Sequence, residues 1–231
     1  DCCESHGAEI YGKKVGTMSE GSTFSSYFGH HMTTVEGGFV STDDTDLYEL
    51  MRAKRSHGMA RECSPDIYKK YVKQYPDVDK RFMFITDGYN FRNTEFGGVL
   101  GISQLPRLNS MIKRRREVCY KFEGILKKYD HLFHTPNFEG NSSFCLPFMV
   151  KDGSLRDDLQ DHLESKGIET RPLCSGNLLR QPFLSEYEPY KEFPKVDYLH
   201  YQGFFIGNSH LVTDEDIEKL EVILDDYIRV L

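Results

Sequence analysis

Two adjacent histidines, His30 and His31, lie in a stretch whose other residues could also take part in chemistry. An imidazole can accept a proton and later return it near neutral pH, because its ordinary pKa is about 6.5. Ser25 precedes the pair in an aromatic run, where its hydroxyl could face a ligand, and a Glu-Gly-Gly turn follows at 36–38. A lone histidine is usually structural, so the hypothesis of a proton-transfer site rests on the residues around the pair.

The composition narrows the class of protein before any motif is considered. The chain has 231 residues and a formal charge of −7, which argues against nucleic acid or an anionic membrane as the main partner. No stretch reaches the roughly 20 apolar residues of a membrane helix, so we expect a cytoplasmic protein. The six cysteines have neither a disulfide framework nor metal spacing, which favours reduced thiols and no metal.

The first half of the chain alternates between strand-like and helix-like patterns, as α/β proteins do. The chain begins at Asp1 without a methionine, and its first residues read as the end of a strand, which suggests a fragment, a processed product or one piece of a larger subunit. The further elements expected here are strands at 22–28 and 38–42, a helix at 43–58, a polar insert of weak periodicity at 63–80 and a helix entered at Thr94.

The second half has the pattern of a small separate α/β domain. We expect a long basic helix at about 107–128, strands at 142–150, 168–173 and 204–207, and helices at 154–167 and 213–231, the last capped by Thr213. The second domain therefore begins near 110–130, and we divide the chain into domains at 1–115 and 116–231.

Several segments together resemble a known family, the DegT/DnrJ/EryC1/StrS sugar aminotransferases. The chain contains, in order, DCCESHG, STFSSYFGHHMTTVEGGFVSTDD, RSHG, GYNFRNTE, GIETRPL and GFFIGNSH. This resemblance runs over nearly the whole chain and implies an aspartate-aminotransferase-like fold, with part of the large domain at 1–115 and the small C-terminal α/β domain at 116–231. It also implies pyridoxal 5'-phosphate, or its amine form pyridoxamine 5'-phosphate, as the cofactor.

One position departs from the pattern of that family. Six residues before Glu36, most members have a lysine that bonds covalently to the cofactor, and this chain has His30, which cannot form that bond. The departure resembles a subgroup, the sugar 3-dehydratases, in which histidine replaces the lysine. The resemblance therefore implies a lyase that removes the hydroxyl at carbon 3 of a nucleotide-linked 4-keto-6-deoxy sugar, with His30 as the catalytic base.

The other site residues are implied by the same resemblance. Asp1 would face the pyridine nitrogen of the cofactor, and Ser25 would donate to its phosphate. Asn90 would add a second phosphate bond from a partner subunit, which implies a homodimer. Arg92 and, more weakly, Arg61 would bind carboxylates of the amino donor or the substrate. The C-terminal segments suggest GDP-4-keto-6-deoxy-mannose as the substrate and glutamate as the amino donor.

Alternatives remain open at this point. His31 competes with His30 for the catalytic role, although the spacing to Glu36 favours His30. The chain could instead be an aminotransferase that tolerates histidine. It could also be a truncated, non-catalytic partner subunit, because in the family a phosphate-binding segment comes before the position of Asp1, where this sequence begins. An iron–sulfur subgroup is rejected, since Cys63 is the only thiol at 59–80 and a cluster needs about four.

Overall fold

The structure is a computed structural model that describes residues 1–187 and 192–231. The chain divides into two compact units, the first comprising Asp1–His6 and Ile10–Pro106 and the second Gly7–Glu9 and Arg107–Leu231. The domain boundary expected between residues 115 and 116 stays a prediction. Within the described residues, none of the helices combines the length and the apolar character that crossing a bilayer requires.

The first half of the chain carries short strands and three helices. Their bounds are β1 (Glu9–Ile10), β2 (Lys13–Lys14), β3 (Ser22–Ser25), β4 (Gly38–Ser41), α1 (Thr45–Arg55), α2 (Pro65–Gln74) and α3 (Glu95–Gln104). Strands β3 and β4 pair antiparallel, with Ser25 opposite Gly38. Residues 1–8 carry no strand assignment, contrary to expectation, although the Cys2 N–H donates to the Thr23 carbonyl at 2.8 Å.

Side-chain caps explain where two of these helices begin. The Asp44 carboxylate accepts from the Leu47 N–H at 2.9 Å, and the Thr94 hydroxyl accepts from the Gly97 N–H at 3.5 Å. Such caps satisfy backbone donors that have no partner inside the helix. Helix α2 was not expected, because its apolar residues, although they recur at helical spacing, lie among charged residues and none of them is buried.

The second half forms a three-stranded sheet packed against helices. Its elements are α4 (Leu108–Lys128), β5 (Cys145–Met149), α5 (Arg156–Ser165), β6 (Thr170–Pro172), α6 (Pro194–Gln202), β7 (Gly203–Gly207) and α7 (Asp214–Ile228). The strand order is β5-β7-β6, with both pairs antiparallel. Thr213 caps α7 through a reciprocal capping box with Asp216, as its sequence predicts.

An aromatic cluster forms the centre of this second core. Phe148 is fully buried, stacks on Phe204 at 4.9 Å between ring centroids and meets Phe122 edge-on at 5.0 Å. Burying rings of this size removes much apolar surface from water, which is the main stabilising contribution to such a unit. Helix α6 was not expected, because it buries none of its residues and runs directly into β7.

Candidate functional site

Strand β3 brings two of the expected site residues close together. The Asp1 carboxylate accepts from the Cys3 N–H at 3.0 Å and from the Thr23 hydroxyl at 3.3 Å. Thr23 and Ser25 are two positions apart on β3, and side chains two positions apart share one face of a strand. The contact with Thr23 thus fixes the Asp1 carboxylate beside the strand that carries Ser25.

A tight turn at the end of β3 leads from Ser25 to His30. The Ser25 hydroxyl oxygen accepts from the Tyr27 N–H at 3.1 Å, so that bond leaves the hydroxyl hydrogen available for an acceptor. The Tyr27 carbonyl then accepts from the His30 N–H at 3.1 Å. Two short-range bonds therefore set the direction in which the chain enters the histidine pair.

The His30 imidazole has one acidic and one aromatic neighbour. Its Nε2 lies 3.8 Å from a carboxylate oxygen of Glu4, and its side chain is only 12% exposed. The Tyr27 ring meets it edge-on, with 5.6 Å between ring centroids. A largely buried imidazole beside a carboxylate is a suitable group for accepting and returning a proton.

The two adjacent histidines lie in different surroundings. His31 is 2% exposed, and its ring packs 5.3 Å from that of His6, which in turn meets Phe24 edge-on. His30 is held at the end of a turn, where Glu4 remains about half exposed. The deep burial of His31 favours a packing role for it and leaves His30 as the better candidate for chemistry.

The Glu-Gly-Gly turn is held by a small polar network. The buried Ser26 hydroxyl bonds to that of Thr34 at 2.6 Å, and Thr34 also donates to the Glu36 carbonyl at 2.9 Å. A Cβ on Gly37 would lie 2.7–2.8 Å from the Ser26 and Thr34 hydroxyls and from Asn93, so only glycine fits there. Val35 adopts a φ of 73°, which is strained for a β-branched residue.

Asn90 and Arg92 belong to a second cluster, built on the end of α1. The Tyr89 N–H donates to the Lys54 carbonyl, and the Tyr89 carbonyl accepts from the His57 N–H, both at 2.7 Å. The Asn90 side-chain oxygen accepts from Arg92 Nε at 3.1 Å. Asn90 and Arg92 are therefore brought together beside the end of α1.

Arg61 occupies a third position. Its guanidinium lies over the Phe82 ring, 5.9 Å from the centroid, and donates to the Arg81 carbonyl at 3.3 Å. These contacts, within the described residues, do not place Arg61 beside Arg92. Asn90 thus contacts Arg92 directly, whereas Arg61 is held by Phe82 and Arg81.

A cavity of about 600 Å³ adjoins the second cluster. Its walls are apolar and cationic, and its lining residues are Gly38, Phe39, Val40, Tyr48, Met51, Arg52, Lys54, Arg55, Tyr89 and Phe91. All three cations have neighbours. Arg52 lies over the Tyr48 ring, Arg55 lies 3.9 Å from a carboxylate oxygen of Glu62, and Lys54 bonds Asp87 at 2.7 Å. That hydrogen bond lowers the pKa of Asp87. No sequence motif indicated this cavity.

Motif reasoning missed two residues of the first group. Thr23 orients the Asp1 carboxylate, and Glu4 faces His30. Glu4 is 26 positions before His30 in the sequence, and such a separation carries no periodic signal. Only the fold brings these side chains together.

The chain matches one family of known proteins over nearly its whole length. The DegT/DnrJ/EryC1/StrS aminotransferase family model matches residues 1–224. The chain is 34% identical over 229 residues to GDP-4-keto-6-deoxy-D-mannose 3-dehydratase from Escherichia coli O55:H7, covering 97% of this chain and 59% of that relative. The chain thus spans about three fifths of the length of the curated relatives it matches.

Solved structures give the same result. The structure of the E. coli GDP-4-keto-6-deoxy-D-mannose-3-dehydratase with bound hydrated PLP superposes with a TM-score of 0.81 at 32% identity, covering 97% of this chain and 59% of that one. A GDP-4-keto-6-deoxymannose-3-dehydratase with a trapped PLP-glutamate geminal diamine matches with a TM-score of 0.81 at 31% identity, covering 96% and 59%. These matches confirm the α/β, aspartate-aminotransferase-like fold expected from the sequence.

Proposed function

Because the chain belongs to the DegT/DnrJ/EryC1/StrS aminotransferase family, we propose that it acts as a pyridoxal-phosphate-dependent 3-dehydratase on a nucleotide-linked 4-keto-6-deoxy sugar. The observation that carries the proposal is His30, an imidazole where the family pattern has its cofactor-bonding lysine, in a largely buried position beside Glu4. Its relatives named as 3-dehydratases support the same activity, since they match over nearly the whole chain.

The residues of the first group fit the cofactor. Asp1 is oriented by two donors, the Cys3 N–H and the Thr23 hydroxyl, and hydrogen bonds of this kind favour a charged carboxylate. Such a carboxylate would keep a pyridine nitrogen protonated. Ser25 can donate its hydroxyl hydrogen to a phosphate oxygen, because its own acceptor bond comes from Tyr27. Asp1 and Ser25 would therefore hold the two polar ends of the ring system.

When bound as the amine, pyridoxamine phosphate supplies an electron sink for bond cleavage in the sugar. His30 would accept a proton from the methylene carbon next to the cofactor ring and donate a proton to the departing oxygen at sugar carbon 3. Glu4 would stabilise the charge that the imidazole gains between these two transfers. An imidazole, unlike a lysine amine, would not compete by bonding the cofactor, so dehydration would be favoured over amino transfer.

Each turnover would release a 3-deoxy-4-keto sugar and ammonia, and an amino donor would supply the next amino group. Glutamate is proposed for this role, because a relative was captured with PLP and glutamate together. Arg92 or Arg61 would bind its carboxylates, since guanidinium groups bind carboxylates in bidentate fashion. GDP is proposed as the nucleotide, because two 3-dehydratases that are 34% identical to this chain are named for a GDP sugar, whereas one named for a dTDP sugar is 26% identical.

Asn90 is proposed to act in a neighbouring subunit. In the family pattern the asparagine at this position reaches the cofactor phosphate of another copy, and here its side-chain oxygen accepts from Arg92. The proposed functional form is therefore a homodimer. Asn90 could contact the phosphate or help to hold the dimer together. For the Asn90→Ala variant, loss of cofactor affinity without loss of the dimer, as seen by light scattering, would support a phosphate contact.

The experiment that tests the proposal is product analysis. The longest native form of the protein would be incubated with pyridoxal phosphate, glutamate and GDP-4-keto-6-deoxy-mannose, and the sugars and ammonia followed by mass spectrometry and an ammonia assay. We expect a 3-deoxy sugar with one ammonia for each sugar converted. An amino sugar would identify an aminotransferase, and the absence of both cofactor binding and product would favour a non-catalytic partner subunit.

A further inference from the structure

We propose that Gln104, the last residue of α3, is a positioning residue that holds the histidine loop, defined here as residues 30–34, in its working geometry. The inference rests on the proposed function, in which His30 moves the proton. No sequence pattern singled out Gln104. Its side chain reaches across 71 positions of sequence to the loop.

The contact is a pair of reciprocal hydrogen bonds to one residue. The Gln104 side-chain oxygen accepts from the Thr33 N–H at 3.1 Å, and the Gln104 side-chain nitrogen donates to the Thr33 carbonyl at 2.8 Å. One amide side chain therefore satisfies both backbone groups of Thr33. A pair of bonds fixes the rotation of that peptide as well as its position, which a single bond does not.

The position of Thr33 constrains the position of His30, because only two residues lie between them. The two intervening residues, His31 and Met32, are 2% and 7% exposed, so neither is free to rearrange without disturbing a packed interior. At the other end, the His30 N–H donates to the Tyr27 carbonyl. His30 thus lies on a short segment that Tyr27 anchors on one side. On the other side the segment is anchored by Gln104 and by the bonds of Thr34 to Ser26.

The glycines of α3 make this approach feasible. A Cβ on Gly101 would lie 3.5 Å from the Thr34 methyl group, and one on Gly97 would lie 3.0 Å from the Asn93 side-chain oxygen. The Gly101 distance is that of an ordinary van der Waals contact, so α3 lies directly against Thr34 at this point. This close packing brings Gln104, three residues further along, within reach of Thr33.

The geometry separates this role from cofactor binding. Ser25 lies on β3, and Asp1 is held by Thr23 and Cys3, so neither depends on the Gln104 contact. The two hydrogen bonds between Gln104 and Thr33 are called the clamp here. Loss of the clamp would displace His30 and leave the cofactor contacts in place. Replacing a residue that is needed only for folding would instead weaken cofactor binding and catalysis together.

Two variants and one control test the inference in the longest native form of the protein. Gln104→Met keeps the length of the side chain and removes both bonds, whereas Gln104→Glu keeps the acceptor and loses the donor. Ser103→Ala is the control, since its hydroxyl bonds only to the Leu100 carbonyl of its own helix. Hydrogen exchange at the Thr33 N–H, measured without cofactor, reports the clamp directly.

We expect Gln104→Met to speed exchange at the Thr33 N–H by at least about tenfold. Its kcat for GDP-4-keto-6-deoxy-mannose should fall by about tenfold to a hundredfold, as small misplacements of catalytic groups do. KM and the affinity for pyridoxal phosphate should stay unchanged. Gln104→Glu should lie between Gln104→Met and the unmodified protein, and Ser103→Ala should match the unmodified protein.

Three results would overturn the inference. Unchanged exchange at the Thr33 N–H in Gln104→Met would mean that the clamp is not formed. Faster exchange with unchanged kcat would mean that the clamp does not position the base, provided that His30→Asn is inactive. If His30→Asn remains fully active, the proposed function itself fails and takes the positioning role with it, while the exchange data still report whether the bonds exist.

Discussion

A carboxylate oxygen of Glu4 lies 3.8 Å from Nε2 of His30, and this pair joins the first residues of the chain to the loop after β3. A negative charge at this distance stabilises the charge that an imidazole gains when it takes up a proton. Glu4 is about half exposed, so water weakens the interaction without abolishing it. The pair therefore links the Asp1 segment to the proposed base through charge as well as through packing.

Replacing Glu4 with glutamine should slow the reaction without weakening substrate binding. We expect Glu4→Gln to lower kcat by about twofold to fivefold at low salt, the effect of one partly exposed charge pair, with KM unchanged. Glu36→Gln is a suitable control, because Glu36 is also exposed and lies in the next turn. An unchanged kcat in Glu4→Gln, measured at low salt, would mean that Glu4 does not assist His30 in the reaction.

Two adjacent serines, the last residue of β3 and the residue after it, should behave differently. Ser25→Ala should weaken pyridoxal phosphate binding by about tenfold, the usual effect of one hydrogen bond to a charged group, and leave the unfolding temperature unchanged. Ser26→Ala should lower the unfolding temperature, because its buried hydroxyl bonds to Thr34. Cofactor titration followed by absorbance, beside thermal unfolding, measures both effects. Equal cofactor affinities in the two variants would contradict the assignment of Ser25.

Glycine at position 58 should be required for folding. Gly58 has a φ of +78°, and a Cβ there would lie 1.8 Å from the Thr86 carbonyl oxygen. We expect Gly58→Ala to reduce the free energy of unfolding by more than about 2 kcal/mol, measured by urea titration of the whole protein.

Gly98 provides the matched control for that substitution. It lies inside α3, and a Cβ there would meet nothing within 4 Å. Gly98→Ala should therefore raise the free energy of unfolding by up to about 1 kcal/mol, through helix propensity. If both variants changed stability equally, the backbone geometry at Gly58 would not be the cause.

The second unit should lose stability in acid through Asp197. Hydrogen bonds from Arg180 at 2.7 Å and from Asn177 at 2.8 Å lower the pKa of Asp197 to about 2 from its ordinary 3.8. The unfolded state therefore binds the proton more readily, so this contribution is complete above pH of about 4 and is lost as the pH falls toward 2.

Asp197→Asn should accordingly be less stable than the unmodified protein at pH 5. Its stability should also fall less steeply between pH of about 4 and 2, because the group that titrates there is gone. The exposed Asp77 supplies a control through Asp77→Asn. Parallel pH curves for Asp197→Asn and the unmodified protein would contradict the contribution of this carboxylate.

Local patterns in the sequence predicted the elements that have a buried face. Helix α4 buries Val118, Phe122 and Ile125, and α7 buries Ile217, Leu220 and Leu224, so their apolar residues recur at helical spacing. Helices α2 and α6 bury none of their residues, and neither was predicted. The apolar residues of α2 do recur at helical spacing, but they are only half-buried and lie among charged residues.

The candidate site was accessible to sequence reasoning only in part. Ser25, His30 and the Glu-Gly-Gly turn lie within one short segment, so a motif could identify them together. The supporting contacts of Thr23 with Asp1, Glu4 with His30 and Gln104 with Thr33 join residues 22, 26 and 71 positions apart. Such pairs follow from the path of the chain in space, and no local spacing encodes them. The roles assigned to the site residues stay predictions.

The most direct test of the account compares the unmodified protein with His30→Lys. Both would receive pyridoxal phosphate, glutamate and GDP-4-keto-6-deoxy-mannose, and the sugar products would be identified by mass spectrometry. If His30 is the base for dehydration, we expect a 3-deoxy sugar from the unmodified protein and none from the lysine variant, which could bond the cofactor covalently. A 3-deoxy sugar formed equally by both, or an amino sugar formed by the unmodified protein, would contradict the central claim that His30 makes this chain a dehydratase.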